Sequence, residues 1–277
     1  MSIGLLNGLQ SGTQRGLSPG VGNGLDTGIY NGVYGEVSDN FIYGFPTSKC
    51  VLWLDPSYGL NIQDLGAISS WKDRFNRYTY TQSTTAAQPR LIVEDSNFNN
   101  KPIVDFNTIG RGVFLTNGPL LSGDTTLVMV YQYISSADSG GSSWQSRVIS
   151  NGDEQSARSF GVGYLWNKLN NSLLQAETGY RGDGNNNTLV ASSSLFNTNR
   201  YIVVMNKNLW LANNNNVTIT VGGLNNIPAF RINAIGGSSG GFSGVFKLGE
   251  VLLYNYAMSS SEASFISDRL NQKYLIY

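Results

Sequence analysis

The sequence predicts an all-β sandwich with one short helix near its C-terminus, preceded by an extended or turn-rich N-terminal arm. Three observations support this fold class: short β-rich runs between glycine-rich turns, one helix-capping pattern, and a glycine at every fourth position near the N-terminus. The chain has 277 residues, of which 40% are hydrophobic, and this is enough for the core of one large β-domain.

The strands are predicted from Cys50 onward, where runs of β-branched and aromatic residues alternate with turn residues. Asn-Gly and Gly-Gly pairs separate several of these runs. The run over 126–133 is nearly all apolar or β-branched, as expected for a central strand buried on both faces. The main predicted strands are Cys50–Leu54, Lys101–Phe106, Thr126–Tyr133, Arg147–Ser150, Phe160–Tyr164, Tyr201–Met205, Val217–Val221, Phe230–Ile235 and Val245–Tyr254.

One helix is predicted near the C-terminus. Ser259 precedes Glu262 by three residues, which is the spacing of a capping box at a helix start. Ile266 and Leu270 then recur at helical spacing. The apolar residues 274–277 are expected to follow as a closing segment.

The N-terminal arm repeats glycine every four residues, mostly with an apolar residue directly after it. Such regularity indicates a repeated structural unit. A helical arm would cost about 1 kcal/mol for each glycine relative to alanine. A chain of turns would instead use glycine where φ is positive. Turns are favoured, but the sequence leaves both conformations open. The repeat comprises Gly4, Gly8, Gly12, Gly16, Gly20, Gly24, Gly28 and Gly32, with apolar residues that include Leu5, Leu9, Leu17 and Leu25.

These patterns divide the chain into three parts. Residues 1–36 form the glycine-repeat arm, residues 37–48 a linker, and residues 49–277 the sandwich domain. The arm has no second layer against which to bury its apolar residues. We therefore expect it to anchor the protein in an assembly or to join copies of the chain, with a trimer as one arrangement.

Composition excludes several function classes. Lys+Arg and Asp+Glu both number 18, so we expect no attraction to nucleic acid by bulk charge. No apolar run reaches the roughly 18 residues of a membrane helix, so we expect no membrane insertion. The chain has no histidine, which removes Ser-His-Asp and Cys-His catalysis. Its single cysteine, Cys50, lies in an apolar predicted strand and is expected to act as a small buried hydrophobe.

Two groups of motifs resemble concanavalin A-like, laminin-G-type jelly-roll domains. The group at the start consists of 52–55 (Leu-Trp-Leu-Asp), 70–73 (Ser-Trp-Lys-Asp), Pro89 and 100–106 (Asn-Lys-Pro-Ile-Val-Asp-Phe). The group at the end consists of 248–259 (Leu-Gly-Glu-Val-Leu-Leu-Tyr-Asn-Tyr-Ala-Met-Ser), Glu262 and Lys273-Tyr274. The sequence departs from many relatives at 74–76, which reads Arg-Phe-Asn instead of Ser-Gly-Asn. The resemblance implies a jelly roll. It also implies that the domain binds glycans or proteins, and it leaves a calcium ion open because some relatives bind one; no other cofactor is expected.

The candidate site residues are those suited to bind a glycan. Exposed aromatic rings that stack on sugar rings, next to Asn or Asp side chains, are typical of such sites. This composition points to Trp144, Trp166, Tyr180, Asp183 and Asn185. By contrast, Asp55, Trp71 and Asp73 occupy the most recognisable positions of the resemblance, and we interpret them as structural residues.

Catalysis is not expected. Glycanases of this superfold carry a Glu-x-Asp-x-Glu pattern within one strand, and retaining hydrolysis needs two carboxyl groups about 5 Å apart. No such pattern occurs here. The sequence therefore predicts that the chain is not an enzyme and lacks catalytic residues.

The arm and the sandwich together resemble bacteriophage or other virus head-fibre and capsid-associated proteins. The first hypothesis is a structural virion component whose partners are capsid or fibre proteins, copies of itself and a host-surface glycan. The alternative is a carbohydrate-binding module of a bacterial surface or secreted protein. A glycosidase of the same superfold is the third.

Overall fold

A computed structural model describes residues 47–106, 112–114, 116–120, 125–132, 134, 148–149, 199–206, 208–216, 231–236 and 245–277 with their side chains. It describes only the main chain of further strand residues. The predicted arm, residues 1–36, lies outside the described residues. The chain divides into two compact units, Met1–Lys49 and Cys50–Tyr277.

Short strands make up most of the described chain. In chain order they are β1 (Phe41–Ile42), β2 (Phe45–Pro46), β3 (Cys50–Leu54), β4 (Leu60–Ile62), β5 (Ile68–Lys72), β6 (Thr79–Thr81), β7 (Arg90–Asp95), β8 (Lys101–Phe106), β9 (Val113–Phe114), β10 (Leu120–Leu121) and β11 (Thr126–Ser135). They continue with β12 (Trp144–Ser150), β13 (Ser159–Asn167), β14 (Leu174–Gly182), β15 (Asn185–Ala191), β16 (Arg200–Met205), β17 (Trp210–Ala212), β18 (Asn215–Asn216), β19 (Ile219–Val221), β20 (Phe230–Arg231), β21 (Ala234–Ile235) and β22 (Val245–Tyr254).

Two large antiparallel sheets form the second unit. The eight-stranded sheet runs β18-β17-β16-β11-β22-β8-β7, and β3 also pairs with β22. The ten-stranded sheet runs β19-β15-β14-β13-β12-β21-β9-β6-β5-β4. Two further pairs stand apart, β10 with β20 and, in the first unit, β1 with β2.

The two large sheets contribute to one hydrophobic core. Their inward side chains come from alternate strand positions, as the period of two in a strand requires. From the eight-stranded sheet the core includes Leu52, Leu54, Met129, Val251 and Leu253. From the ten-stranded sheet it includes Ile68, Trp71, Tyr80, Val113 and Ile149.

A single α-helix is present in the described part of the second unit, α1 (Ser260–Tyr274). Ser259 and Glu262 form the predicted capping box, and the helix ends at Leu275, which takes a φ of +49°. Ile266 and Leu270 are fully buried. Leu252 is also fully buried but alternates with core residues, so it lies on the outer side of the eight-stranded sheet, where α1 packs.

A β-bulge in β22 shapes the sheet beneath this helix. Leu248 pairs with Tyr131 and Val251 pairs with Met129, so Gly249 and Glu250 together face one residue of β11. The extra residue turns Glu250 toward the helix side. A Cβ on Gly249 would lie 3.0 Å from the Cβ of Val130 and 3.3 Å from the Cζ of Tyr274. Glycine is therefore needed where sheet and helix approach each other.

The predicted fold class is confirmed: the chain forms a jelly-roll type sandwich of two antiparallel sheets with one short C-terminal helix. Strands β3, β8 and β22 have the predicted bounds. Thr126–Met129 are buried, as predicted for a central strand. Cys50 is also buried, and burial raises the pKa of its thiol to about 12.

One predicted strand was wrong. The segment 230–235 forms two strands rather than one, because it changes sheets at Ile232. The amide of Ile232 donates to Pro119, and its carbonyl accepts from the hydroxyl of Tyr80. These bonds take Ile232 out of regular strand pairing.

Candidate functional site

The motif residues of the two chain ends converge in one buried charge cluster, which we define as Asp55, Arg74, Glu250 and Lys273. Asp55 follows β3, and Glu250 lies at the bulge of β22. Lys273 comes from the last turn of α1. Residues about 200 positions apart in sequence are thus brought together by the pairing of β3 with β22.

The buried charge cluster is held by short polar contacts. The Nζ of Lys273 lies 2.5 Å from Oε1 of Glu250 and 3.7 Å from Oδ1 of Asp55. Arg74 donates to Oδ2 of Asp55 from both Nε, at 2.9 Å, and Nη2, at 2.6 Å. The indole Nε1 of Trp53 donates to Oε2 of Glu250 at 2.7 Å. Each carboxylate is therefore shared between at least two elements of the fold.

Burial affects the two acids differently. For Glu250, burial raises the pKa of the carboxyl; the positive charge of Lys273 and the bond from Trp53 offset this only in part. For Asp55, burial also acts to raise the pKa, but Lys273, the hydrogen bonds from Ser57 and the charge of Arg74 outweigh it. The pKa of Asp55 is therefore lowered.

The buried charge cluster is closed to large ligands. Asp55 is 1% exposed and Glu250 is 0% exposed, so a sugar ring cannot reach either carboxylate in this conformation. The buried charge cluster instead joins β3, β22 and α1. Its charges are compensated within the fold, as buried charges must be.

The structural interpretation of Trp71 and Asp73 is confirmed. Trp71 is fully buried in the core, and its Nε1 donates to the carbonyl of Asp55. Asp73 accepts main-chain N–H bonds from Phe75, Arg77 and Tyr78. It therefore caps the turn in which the sequence departs from the resembled family.

The outer face of the ten-stranded sheet carries a different arrangement, which we call the uncharged row: Asn61, Ser70, Thr81 and Phe114. These residues lie on β4, β5, β6 and β9 and pair directly across the strands, Asn61 with Ser70, Ser70 with Thr81, and Thr81 with Phe114. At 4.7–4.9 Å between strands, the row spans about 14 Å.

The uncharged row faces away from the core. Its strand neighbours Trp71, Tyr80 and Val113 are all fully buried core residues. Asn61 and Thr81 are exposed, and Ser70 and Phe114 are half-buried. Side chains alternate between the faces of a strand, so Phe114 is an aromatic ring on the outward face next to hydroxyl and amide groups.

The outer face of the eight-stranded sheet carries charged residues beside the helix. We call this set the charged row: Arg90, Asp105, Lys247, Gln132 and Arg200. They lie on β7, β8, β22, β11 and β16 and again pair directly, strand by strand. The two outer faces therefore differ in charge.

The predicted glycan residues fall on the strands that continue the ten-stranded sheet. Trp144 lies on β12, Trp166 on β13, Tyr180 on β14 and Asn185 on β15, which are four neighbouring strands. Trp166 pairs with Gln145, one position from Trp144. The side chains of these four residues, and Asp183 as a whole, lie outside the described residues.

Sequence reasoning missed the uncharged row. Phe114 lies in a strand of two residues, which is too short to show a period. The alternation Thr79-Tyr80-Thr81 could have indicated an outward polar face. No sequence pattern showed that β6 and β9 are neighbours, because 31 residues separate them.

The described residues hold no group of three or more acidic or cysteine side chains placed like metal ligands. None of the helices in the described ranges combines the length and apolar character of a membrane span.

No family model matches the chain. No curated protein matches it either. Several solved structures resemble it in fold.

Trypanosoma rangeli sialidase is 14% identical, with a TM-score of 0.47 over 87% of this chain and 36% of that chain. A Ruminococcus gnavus sialidase CBM40 bound to α2,3-sialyllactose is 13% identical, with a TM-score of 0.39 over 56% of this chain and 96% of that chain. The binding domain of Paraclostridial Mosquitocidal Protein 1 is 11% identical, with a TM-score of 0.43 over 79% of this chain and 52% of that chain. The chain spans about a third of the length of the sialidases that it resembles.

The sequence-based prediction that the chain is not an enzyme is contradicted by the sialidases among these structures. The prediction rested on the absence of histidine and of paired carboxylates within one strand. That reasoning was too narrow, because not every glycoside hydrolase uses a pair of carboxylates.

Proposed function

We propose that the chain is a glycan-binding β-sandwich whose binding surface is the outer face of the ten-stranded sheet, centred on the uncharged row. Phe114 is the observation that carries this proposal. It is a half-buried aromatic residue on the outward face of β9, in direct register with Thr81. An aromatic ring that is not used in the core can stack on the apolar face of a sugar ring.

The neighbours of Phe114 supply the polar half of such a site. Thr81 and Ser70 offer hydroxyl groups that both donate and accept, and Asn61 offers an amide that does the same. Sugar hydroxyls need partners of this kind. The strand spacing presents these groups at regular intervals along the row.

The ten-stranded sheet continues beyond the row. β21 and β12 follow β9, and Phe114 pairs with Ala234 of β21, which pairs with Ser150 of β12. A glycan lying across the strands from Phe114 would therefore run toward β12, the strand that carries Trp144.

The test is a glycan array with the full chain, followed by calorimetric titration of the glycan bound best. α2,3-sialyllactose belongs among the probes because one structure of similar fold holds it. We expect Phe114→Ala to weaken binding about tenfold or more, since the ring would lose its stacking contact. Thr81→Ala should weaken it less, because it removes one hydroxyl group.

Val93→Ala is the matched control. Val93 is an apolar residue 65% exposed on β7, in the other sheet, so its loss should leave binding unchanged. Binding that survives Phe114→Ala would contradict the proposal, and so would a chain that binds no glycan. Cleavage of the bound glycan, measured in the same samples by product chromatography, would show a catalytic site.

A second candidate function rests on the glycine repeat of residues 1–36. We propose that this arm anchors the protein in an assembly such as a virus head fibre, where its partners are capsid or fibre proteins and copies of itself. Deleting residues 1–36 should leave a folded protein that sediments as a smaller species than the full chain. If both proteins sediment equally, the arm does not mediate assembly.

A further inference from the structure

The buried charge cluster places one lysine amine between two carboxylates. The Nζ of Lys273 lies 2.5 Å from Oε1 of Glu250 and 3.7 Å from Oδ1 of Asp55. Oδ1 is bonded to the carboxyl carbon, Cγ, so a rotation of the lysine side chain can bring Nζ against that carbon. An amine, a carboxyl carbon and a second acid are therefore within reach of one another.

Glu250 is placed to take a proton from Lys273. A lysine amine attacks carbon only after it has lost its proton, so it needs a base beside it. Glu250 is 0% exposed, and burial raises the pKa of its carboxyl, which makes it a stronger base than an exposed glutamate. Its Oε2 accepts from the indole of Trp53, and this leaves Oε1 for the amine.

Asp55 presents the carboxyl carbon among hydrogen-bond donors. Its Oδ2 accepts two bonds from Arg74, and its Oδ1 accepts from the main-chain N–H and the hydroxyl of Ser57. Such donors stabilise the negative oxygen that forms when an amine adds to Cγ. They also keep the pKa of Asp55 low, and an ionised carboxylate is a poor target for an amine. Any reaction at Asp55 is therefore slow compared with folding.

We propose that Lys273 and Asp55 become joined by an amide bond within the folded chain, with Glu250 as the catalytic residue. The bond between Nζ and Cγ forms, and the bond between Cγ and Oδ1 breaks. Glu250 carries two protons in turn from Nζ to Oδ1, which leaves as water, and Glu250 ends as it began. One ammonium group and one carboxylate thus give one amide and one water molecule.

The fold supplies what this reaction lacks in solution. Two reacting groups held in place reach effective concentrations of about 10⁵ M or more, which favours joining them. A buried site also holds little water to reverse the step. The side chain of Lys273 is 28% exposed, so the released water has a way out.

The amide bond locks the end of β3 to the last turn of α1. The chain has a single cysteine, so no disulfide within it can do this. A cross-link acts mainly by restricting the unfolded chain, and more so when it closes a long loop. Joining residues 55 and 273 encloses nearly all of the second unit. This inference does not depend on glycan binding.

The contacts are also those of a purely ionic cluster, which is the state of the chain directly after folding. The two accounts differ in mass and in connectivity. An ionic cluster keeps the full mass of the chain at all times. The amide removes one water molecule and joins two distant peptides.

The test is mass spectrometry of the full chain, kept folded at neutral pH and sampled over weeks. We expect a species lighter by one water molecule, about 18 Da, to accumulate. After trypsin digestion, tandem mass spectrometry should find the peptide of Asp55 joined through the side chain of Lys273. A parallel sample kept in urea should form no joined peptide, because the two residues meet only in the folded chain.

Three variants assign the roles. Lys273→Arg keeps the positive charge but should abolish the joined peptide. Glu250→Gln keeps the shape of the side chain and an acceptor for Trp53, and it should slow the reaction about a hundredfold, a usual effect of losing a general base. Lys247→Arg is the matched control, since it changes another close Lys-Asp pair, and the reaction should proceed as in the wild type. Circular dichroism checks that each variant folds.

The wild-type chain alone is decisive if a variant fails to fold. A full mass after weeks in the folded state would overturn the proposal. Loss of water without the joined peptide would overturn it as well, because ring closure at another aspartate also releases water. A joined peptide that uses a different lysine would place the reaction elsewhere. An unchanged rate in folded Glu250→Gln would remove the catalytic role of Glu250.

Discussion

The eight-stranded and ten-stranded sheets share one core but present different outer faces. The first is partly covered by α1 and tied to it through the buried charge cluster, and it also carries the charged row. The second carries the uncharged row over β4, β5, β6 and β9. Inward residues therefore build the sandwich, while outward residues in register decide what each face can bind.

Helix α1 is held on the eight-stranded sheet by apolar packing and by ionic contacts. Leu252 of the sheet and Ile266 of the helix supply apolar packing. Glu250 joins this layer only because the bulge turns it outward from the core. The outer face of the ten-stranded sheet has no comparable cluster among the described residues, so substitutions there should change binding more than folding.

The largest expected effect is on the covered face. Glu250→Ala removes the acceptor of Trp53 and the closest partner of Lys273, so we expect the free energy of unfolding to fall by about 3 kcal/mol. Urea denaturation followed by tryptophan fluorescence measures this. The control is Glu262→Ala, the same change at the exposed capping box, which should cost about 1 kcal/mol. Equal losses in the two variants would show that the cluster does not hold the helix.

A smaller loss of stability is expected when Asp55 is replaced. The folded-state pKa of its carboxyl is lowered, so Asp55 contributes stability above its unfolded pKa, and this contribution is lost as the pH falls through the folded-state value. Asp55→Asn should cost about 2 kcal/mol at pH 7, because a charged hydrogen bond to Arg74 is lost. The difference from the wild type should shrink below about pH 4.

Glu250 should make stability depend on pH in the opposite direction. Its folded-state pKa is raised, so its contribution to stability is present at low pH and is lost as the pH rises through that value. In the wild type, protonation of Glu250 on acidification therefore offsets part of the loss caused by Asp55. Glu250→Gln removes this offset, so the variant should begin to lose stability at a higher pH than the wild type. Urea denaturation at a series of pH values measures both effects, and a pH-independent cost of Asp55→Asn would contradict this account.

The smallest effect on stability is expected on the ten-stranded sheet. Phe114→Ala should lower the free energy of unfolding by less than about 1 kcal/mol, because the ring lies outside the core. Val113→Ala, one residue away on the same strand, should cost about 2 kcal/mol since Val113 is a fully buried core residue. If Phe114→Ala costs more than Val113→Ala, the ring belongs to the packing of the fold, and the uncharged row loses its binding role.

Part of the candidate site was predictable from sequence. The run Cys50–Leu54 and the final run Val245–Tyr254 showed their strands directly, and Ser259 with Glu262 showed the start of the helix. The strands of the predicted Trp144 and Trp166 do lie side by side in one sheet. Phe114 was not found, because its strand is too short for a pattern and its partners are distant in sequence.

Local sequence patterns were enough to predict the fold class, the helix and the strands with long β-rich runs. Those features depend on local periodicity and on capping, which neighbouring residues encode. The sequence also showed which residue types could bind a sugar or stabilise a turn.

Which of these residues act together depends on the tertiary fold. Strand order brought Asp55 to Glu250, and register aligned Arg90, Lys247 and Arg200 in one row. A shift of one residue in register moves every side chain of a strand to the opposite face, and a single bulge moved Glu250 out of the core layer. The content of both outer faces follows from pairings between distant strands, which no local pattern contains.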